Sequence, residues 1–225
     1  MNSSHRLYVG TIGEGLWRST DGGTSWTHIG NPPAPTGVTD RFTAYELSIA
    51  PDSGYVYAAN NYGLAFSTDK GATWTQLDPF GGGDRRVFSV AAQSGNHLIV
   101  GGPSGIRRST DGGTTWQVAS AGPGGIWDIH ALGRSPFSAD QAYAVNGNTE
   151  LYYTEDAGDH WIKIASAPTG GGGCGGIAFV KAIGRTILRP LPRRFIDLYF
   201  GNRCNMSRLT ATSFFGTGHF NYGGT

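Results

Sequence analysis

The chain has 225 residues, a formal net charge of +1 and 15% charged residues, against a typical ~25%. That near-neutral balance excludes an electrostatic footprint for nucleic acid or an anionic membrane surface, and no apolar run approaches the ~18 residues of a spanning helix. Glycine supplies 37 residues, about twice the usual ~7%, which points to a turn-rich β protein.

In chain order, the first expected strand is Leu7–Gly10, followed by Ser19-Thr-Asp21-Gly-Gly23-Thr-Ser25-Trp26. The second unit alternates with period 2 over Ala44–Ala50, Gly54–Ala59, Gly63–Phe66 and Thr73–Leu77, which reads as four strands, A to D. Its C–D connection is Ser67-Thr-Asp69-Lys-Gly71-Ala-Thr73-Trp74. The third unit predicts strands at Val87–Ala92, His97–Val100, Gly105–Arg108 and Thr115–Ala119, with Ser109-Thr-Asp111-Gly-Gly113-Thr-Thr115-Trp116 between the last two. The fourth predicts Ile126–Leu132, Gln141–Val145, Leu151–Tyr153 and His160–Ile164, around Thr154-Glu-Asp156-Ala-Gly158-Asp-His160-Trp161. A fifth unit opens with Gly176–Lys181 and Ile196–Phe200, continues over Ser207–Phe215 and reaches Asn221-Tyr-Gly-Gly-Thr225. The Gly184–Phe195 stretch inside it, with four arginines and two prolines, is expected to be a surface loop.

The four octapeptides share the form S/T-x-D-x-G-x-x-W and recur roughly every 45 residues, the spacing of propeller blades. An aspartate with glycine two positions on makes a tight turn, because the carboxylate accepts backbone N–H groups and glycine takes a positive φ without steric cost. The closing tryptophan then enters the next strand, where it can bury about 150–250 Å². All four, Trp26, Trp74, Trp116 and Trp161, are expected to anchor the fold.

The octapeptide resembles the Asp-box, or BNR repeat, of sialidases, xyloglucanases, sortilin-type receptors and a photosystem II assembly factor. The resemblance covers the chain periodically from about residue 7 to 165 and implies an all-β propeller of four-stranded antiparallel blades, about four complete and part of a fifth. The expected blades are 7–30, 42–79, 86–120, 125–166 and 176–225. Ser19, Asp21, Gly23, Trp26, Ser67, Asp69, Gly71, Trp74, Ser109, Asp111, Gly113, Trp116, Thr154, Asp156, Gly158 and Trp161 then become scaffold residues of the C–D rim. The first unit lacks an inner strand A and the last lacks a strand D. The expectation is a fragment of a larger, seven-bladed propeller, with the remaining blades of the parent as its neighbours.

With the boxes on one rim, the D–A and B–C loops form the other, and loops on a rigid scaffold are where function concentrates. Arg41, Asn61, Tyr62, Arg85, Arg86, Trp127 and His130 are the candidate ligand-binding residues there. Rings that stack on sugar faces beside groups that fix hydroxyls suit a glycan, and the same rim could grip a peptide. Glycoside hydrolysis needs two carboxyl groups about 5–9.5 Å apart, one of them with a raised pKa. Asp40, Glu46, Asp84 and Asp128 are the candidates. The resemblance therefore implies a carbohydrate-active, glycoside-hydrolase-like propeller, or alternatively a non-catalytic scaffold for a protein or peptide. Relatives with this box are often exported, which implies an extracellular or periplasmic location.

No metal or cofactor is expected. The six histidines show no ligand spacing, and Gly170–Gly175, which satisfies G-x-G-x-x-G, has no helix after it to meet a phosphate. The only two cysteines, Cys174 and Cys204, flank strands A and B of the fifth unit. If Phe179 lies opposite Tyr199, the two cysteines arrive opposite each other, and a disulfide is expected as one alternative, unpaired thiols as the other.

Overall fold

The computed structural model describes residues 6–120, 126–135, 138–147, 150–166, 177–181, 196–202 and 205–211, with side chains to residue 164. These residues form eighteen strands in five antiparallel sheets. The first sheet is β1 (Leu7–Gly10), β2 (Leu16–Ser19) and β3 (Thr27–His28); the second is β4 (Ala44–Ile49), β5 (Val56–Asn60), β6 (Gly63–Ser67) and β7 (Thr75–Leu77). The third is β8 (Ser89–Ala92), β9 (Leu98–Gly102), β10 (Gly105–Ser109) and β11 (Gln117–Val118). The fourth is β12 (Ile129–Arg134), β13 (Ala142–Asn146), β14 (Glu150–Thr154) and β15 (Ile162–Ser166), and the fifth is β16 (Ile177–Lys181), β17 (Ile196–Asn202) and β18 (Asn205–Ala211). Each sheet is a meander in which sequential strands are neighbours, and the inner strands β4, β8 and β12 pack side by side. This is a β-propeller arrangement. Among the described residues no strand pairing joins the first sheet to the fifth.

The core lies between sheets. Strands β5, β9 and β13 are buried at every residue, because a neighbouring blade covers each face. Their small residues set the separation. A Cβ on Gly101 would stand 2.3 Å from the Ile129 side chain of the next sheet, and one on Gly10 would stand 2.4 Å from Ala44. In β1, which has no strand on its inner side, Leu7 and Val9 stay about two-fifths exposed.

The box turns fold alike. Ser19 Oγ accepts the Gly23 N–H at 2.8 Å and donates to Asp21 Oδ1, which also accepts the Ser25 N–H, while Asp21 Oδ2 takes the Ser25 hydroxyl at 2.6 Å. Ser67, Asp69, Gly71 and Thr73 repeat this, as do Ser109, Asp111, Gly113 and Thr115. These donors, the side-chain hydroxyl foremost, hold the Asp21, Asp69 and Asp111 carboxyls down at about 2. In the fourth box His160 Nδ1 replaces the hydroxyl, 2.7 Å from Asp156 Oδ2. Every box places two consecutive residues at positive φ: Gly22 and Gly23, Lys70 and Gly71, Gly112 and Gly113, Ala157 and Gly158.

Three expectations need correction. Trp161 is buried, and Trp74 and Trp116 pack against core clusters, but Trp26 is 39% exposed. The box glycines Gly71, Gly113 and Gly158 each press on an aliphatic side chain of the preceding sheet, respectively Ile29, Leu77 and Ile99, whereas Gly23 meets only Leu7 and Trp26 of its own sheet. Among the described residues no sheet lies before the first box to close over its ring. The inner strands of the third and fourth sheets begin at Ser89 and Ile129, later than expected; before β12, Asp128 adopts φ 56°, outside strand conformation. In the fifth sheet Phe179 pairs with Leu198, not Tyr199. The register therefore no longer supports the bridge between Cys174 and Cys204. Both cysteines, and the Gly184–Phe195 insertion, lie outside the described residues.

Candidate functional site

The rim opposite the boxes receives the starts of the inner strands, and in β4 and β12 the register shifts there at an aromatic residue. In β4 the register skips Tyr45, since Ala44 pairs with Asn60 and Glu46 with Ala59. In β12 it skips His130 in the same way. Phe88 holds the equivalent place before β8, bonding its N–H to the Gly101 carbonyl at 2.8 Å while Ser89 pairs with Gly101. Bulges re-aim side chains and recur next to functional sites. Here they form a row: Tyr45 and Phe88 meet edge to face at 5.4 Å, and Phe88 and His130 lie 5.0 Å apart.

Charged residues flank this row. The Arg86 guanidinium sits 5.3 Å above the Phe88 ring. Its Nε donates to Asp84 Oδ1 at 2.7 Å and its Nη2 to Asp84 Oδ2. That fork holds the Asp84 carboxyl below the usual carboxylate range and raises Arg86 above its own. Two of the five guanidinium donors are thereby engaged and the rest are presented in a fixed orientation. On the far side, His130 Nε2 lies 3.0 Å from Asp128 Oδ1. Asp128 approaches so closely over Gly147 that a Cβ there would fall 2.2 Å from its Oδ2. Trp127 beside it is 61% exposed.

Next to Arg86, a cavity of about 730 Å³ collects five sequence candidates, Asp40, Asn61, Asp84, Arg85 and Arg86, along with Thr36. A second cavity of about 460 Å³ adjoins it through Thr36 and Arg85 and runs outward past Tyr62, Trp74 and Gln76. Arg85 Nε is 3.4 Å from Asp78. Two candidates serve the walls. The Asn61 amide accepts the Thr43 N–H and donates to the Arg41 carbonyl, and Tyr62 is buried with its hydroxyl on the Asp40 carbonyl.

The four acids do not converge. Glu46 reaches across to the next blade, where its Oε2 accepts the Val90 N–H at 3.0 Å, and Ser48 caps the Ala92 N–H beside it. Although part of its surface is open, its carboxyl is packed deeply enough that desolvation pushes it up to about 8, against the Val90 bond that lowers it. Asp84 is locked to Arg86, Asp128 faces His130, and Asp40 lines the larger cavity. On the box rim, Asp156, Asp159 and His160 bring ligand-type atoms within 4.8 Å of one another. Those groups already serve the fourth box and the 3.0 Å pair between Asp159 and Arg108.

Sequence reading missed Tyr45 and Phe88. Their signal was present: each is the residue before the inner-strand position equivalent to Ala131, as His130 is.

The family described as Photosynthesis system II assembly factor YCF48 matches residues 37–183. Xyloglucanase Xgh74A of Acetivibrio thermocellus is 26% identical over 179 residues, 74% of this chain and 18% of that enzyme. An ancestral GH74 enzyme superposes with a TM-score of 0.59 at 18% identity, over 92% of this chain and 30% of its own. A structure of YCF48 bound to D1 peptide superposes at 0.55 and 18% identity, over 90% and 61%. This chain thus spans about a fifth of the xyloglucanase, and the structural likenesses establish a shared propeller fold.

Proposed function

The chain belongs to the Photosynthesis system II assembly factor YCF48 family, and from that premise we propose that it is a non-catalytic propeller scaffold that holds a peptide segment of a partner protein on the rim opposite its Asp-boxes. The observation that carries this reading is the Arg86 group, a guanidinium fixed between Phe88 and Asp84 at the edge of a groove. A planar donor fork of this kind suits carbonyl and carboxylate oxygens, the groups a peptide offers. The acids support it too. Hydrolysis of a glycoside needs an acid and a base facing one bond, whereas the group with the raised pKa, Glu46, is turned into the joint between blades and Asp84 is neutralised by its partner. The complex of the related YCF48 with D1 peptide is consistent with this use of the fold.

A second reading rests on Trp127, an exposed ring beside Asp128 and His130. That composition would let a sugar stack while polar groups fix its hydroxyls, it accords with the xyloglucanase relatives, and it carries an extracellular or periplasmic location with it.

Selection from a displayed library of short random peptides, followed by titration calorimetry, separates the two. Under the first reading the selected peptides bind the wild-type chain and lose about tenfold in affinity, ~1.4 kcal/mol, on Arg86→Ala. Binding of xyloglucan oligosaccharides abolished by Trp127→Ala, with no peptide recovered, would overturn it in favour of the second.

A further inference from the structure

The second sheet ends in an open edge beside the outer cavity. Strand β7 is the last of its sheet, paired only with β6 through Leu64 with Leu77, Ala65 with Gln76 and Phe66 with Thr75. The Leu77 carbonyl faces β6, since a Cβ on Gly63 would lie 2.3 Å from that oxygen. In an antiparallel ladder the neighbouring residue turns the other way, so the Gln76 N–H and C=O point outward. Beside this edge lies the cavity of about 460 Å³, whose lining includes Thr75, Gln76 and Leu77 of β7 together with Pro33, Ala34 and Pro35. Pro33 and Pro35 have no N–H to donate, and among the described residues no strand pairs with the outer side of β7. Two polar atoms of the lining residues, the Trp74 indole N–H and Gln76 Oε1, are buried with no hydrogen-bond partner among the described residues.

We propose that this edge takes an extended peptide as an added strand of the second sheet, lying between β7 and the Pro33–Pro35 wall and leading through Thr36 and Arg85 to Arg86. The inference rests on the peptide-holding reading of the rim and specifies how the ligand is held. A peptide unit supplies one acceptor and one donor, the pair that the Gln76 main chain leaves open. Strand addition takes affinity from such main-chain bonds and specificity from the pockets that receive alternate side chains. The occupant is therefore an extended segment with no proline opposite Gln76, with one side chain against Pro33, Pro35 and Tyr62. The adjoining Arg85 and Arg86 pocket receives the end that reaches the channel.

The test uses a library-selected peptide that binds the wild-type chain. At saturation it protects the Gln76 amide from hydrogen exchange. Gln76→Pro, which removes the N–H at an edge position where proline is tolerated, lowers affinity at least about tenfold further than Gln76→Ala, which keeps the main chain but loses the side chain. Equal losses for the two variants would overturn main-chain recognition. So would an unchanged Gln76 exchange rate at saturation, a readout that stands even if Gln76→Pro fails to fold. Binding that falls with Arg86→Ala yet leaves Gln76 unprotected would overturn the added strand and keep the rim reading. Failure of any peptide to bind would overturn both.

Discussion

His160 stands where three other boxes carry a hydroxyl, and it makes one turn of the four responsive to pH near neutrality. Its bond to the Asp156 carboxylate raises the imidazole above its ordinary 6.5. A folded-state pKa above the unfolded one contributes stability that is full below pH 6.5 and is lost as pH rises through the folded value. His160→Thr should remove that dependence. Urea midpoints at pH 6 and pH 9 should differ less in the variant than in the wild type, once other groups are subtracted by difference. Ala157, one position after Asp156, carries φ 57° where the first and third boxes have glycine. A left-handed non-glycine residue costs about 1–2 kcal/mol, and glycine's extra unfolded-state entropy returns part of it. Ala157→Gly should therefore stabilise the chain by up to about 1 kcal/mol in denaturant unfolding, against the usual direction of an Ala-to-Gly change. The turn itself was legible because each residue type has one job in it. The strained alanine was not, since nothing in an alanine reports its φ.

At the scale of elements, the box tryptophans separate into two kinds. Trp161 is 4% exposed with its indole N–H on the Gly158 carbonyl at 3.1 Å, and Trp26 makes the same bond to Gly23 while 39% exposed. With local geometry matched, the difference between them is the neighbouring sheet. Trp161→Ala should cost about 3–5 kcal/mol and Trp26→Ala clearly less, measured by urea unfolding; equal costs would mean that the turn, not the packing, carries the stability. The same distinction explains what could be read from residues alone. Period-2 alternation located β5, β6, β13 and β14 to within a residue or two, because those strands lie inside their sheets. It missed the entry to β8, and the entry to β12, where a bulge and the left-handed Asp128 break the alternation, and it misplaced the register of β16 by one residue, a slip that alternation would oppose but that the nearly continuous apolar runs of β16 and β17 leave open. Arg86 was legible as a rim residue. So was Asp84, two residues before it, whereas its contact with Phe88 and the row through Tyr45 and His130 depend on how the inner strands pair with their neighbours, which no single residue reports.

For the molecule as a whole, blades are joined at the inner strands, and Glu46 is a titratable part of that joint. Burial raises its carboxyl to about 8, so its contribution is full below about pH 4.5 and declines as pH rises through 8. Glu46→Gln keeps an acceptor for the Val90 N–H without the charge. It should match the wild type near pH 5 and exceed its unfolding free energy by about 1–3 kcal/mol near pH 9, the cost of a poorly compensated buried group. A wild type as stable as the variant at pH 9 would mean that the joint opens to water there. The positions at the start of the same inner strands, Tyr45 next to Glu46 among them, have a different consequence. Tyr45, Phe88 and His130 are three letters written at one fixed address, while the instructions that fold each blade sit in the box turns on the far rim. The rings at these three positions can therefore be replaced one blade at a time while the hydrogen bonds of the box turns stay intact.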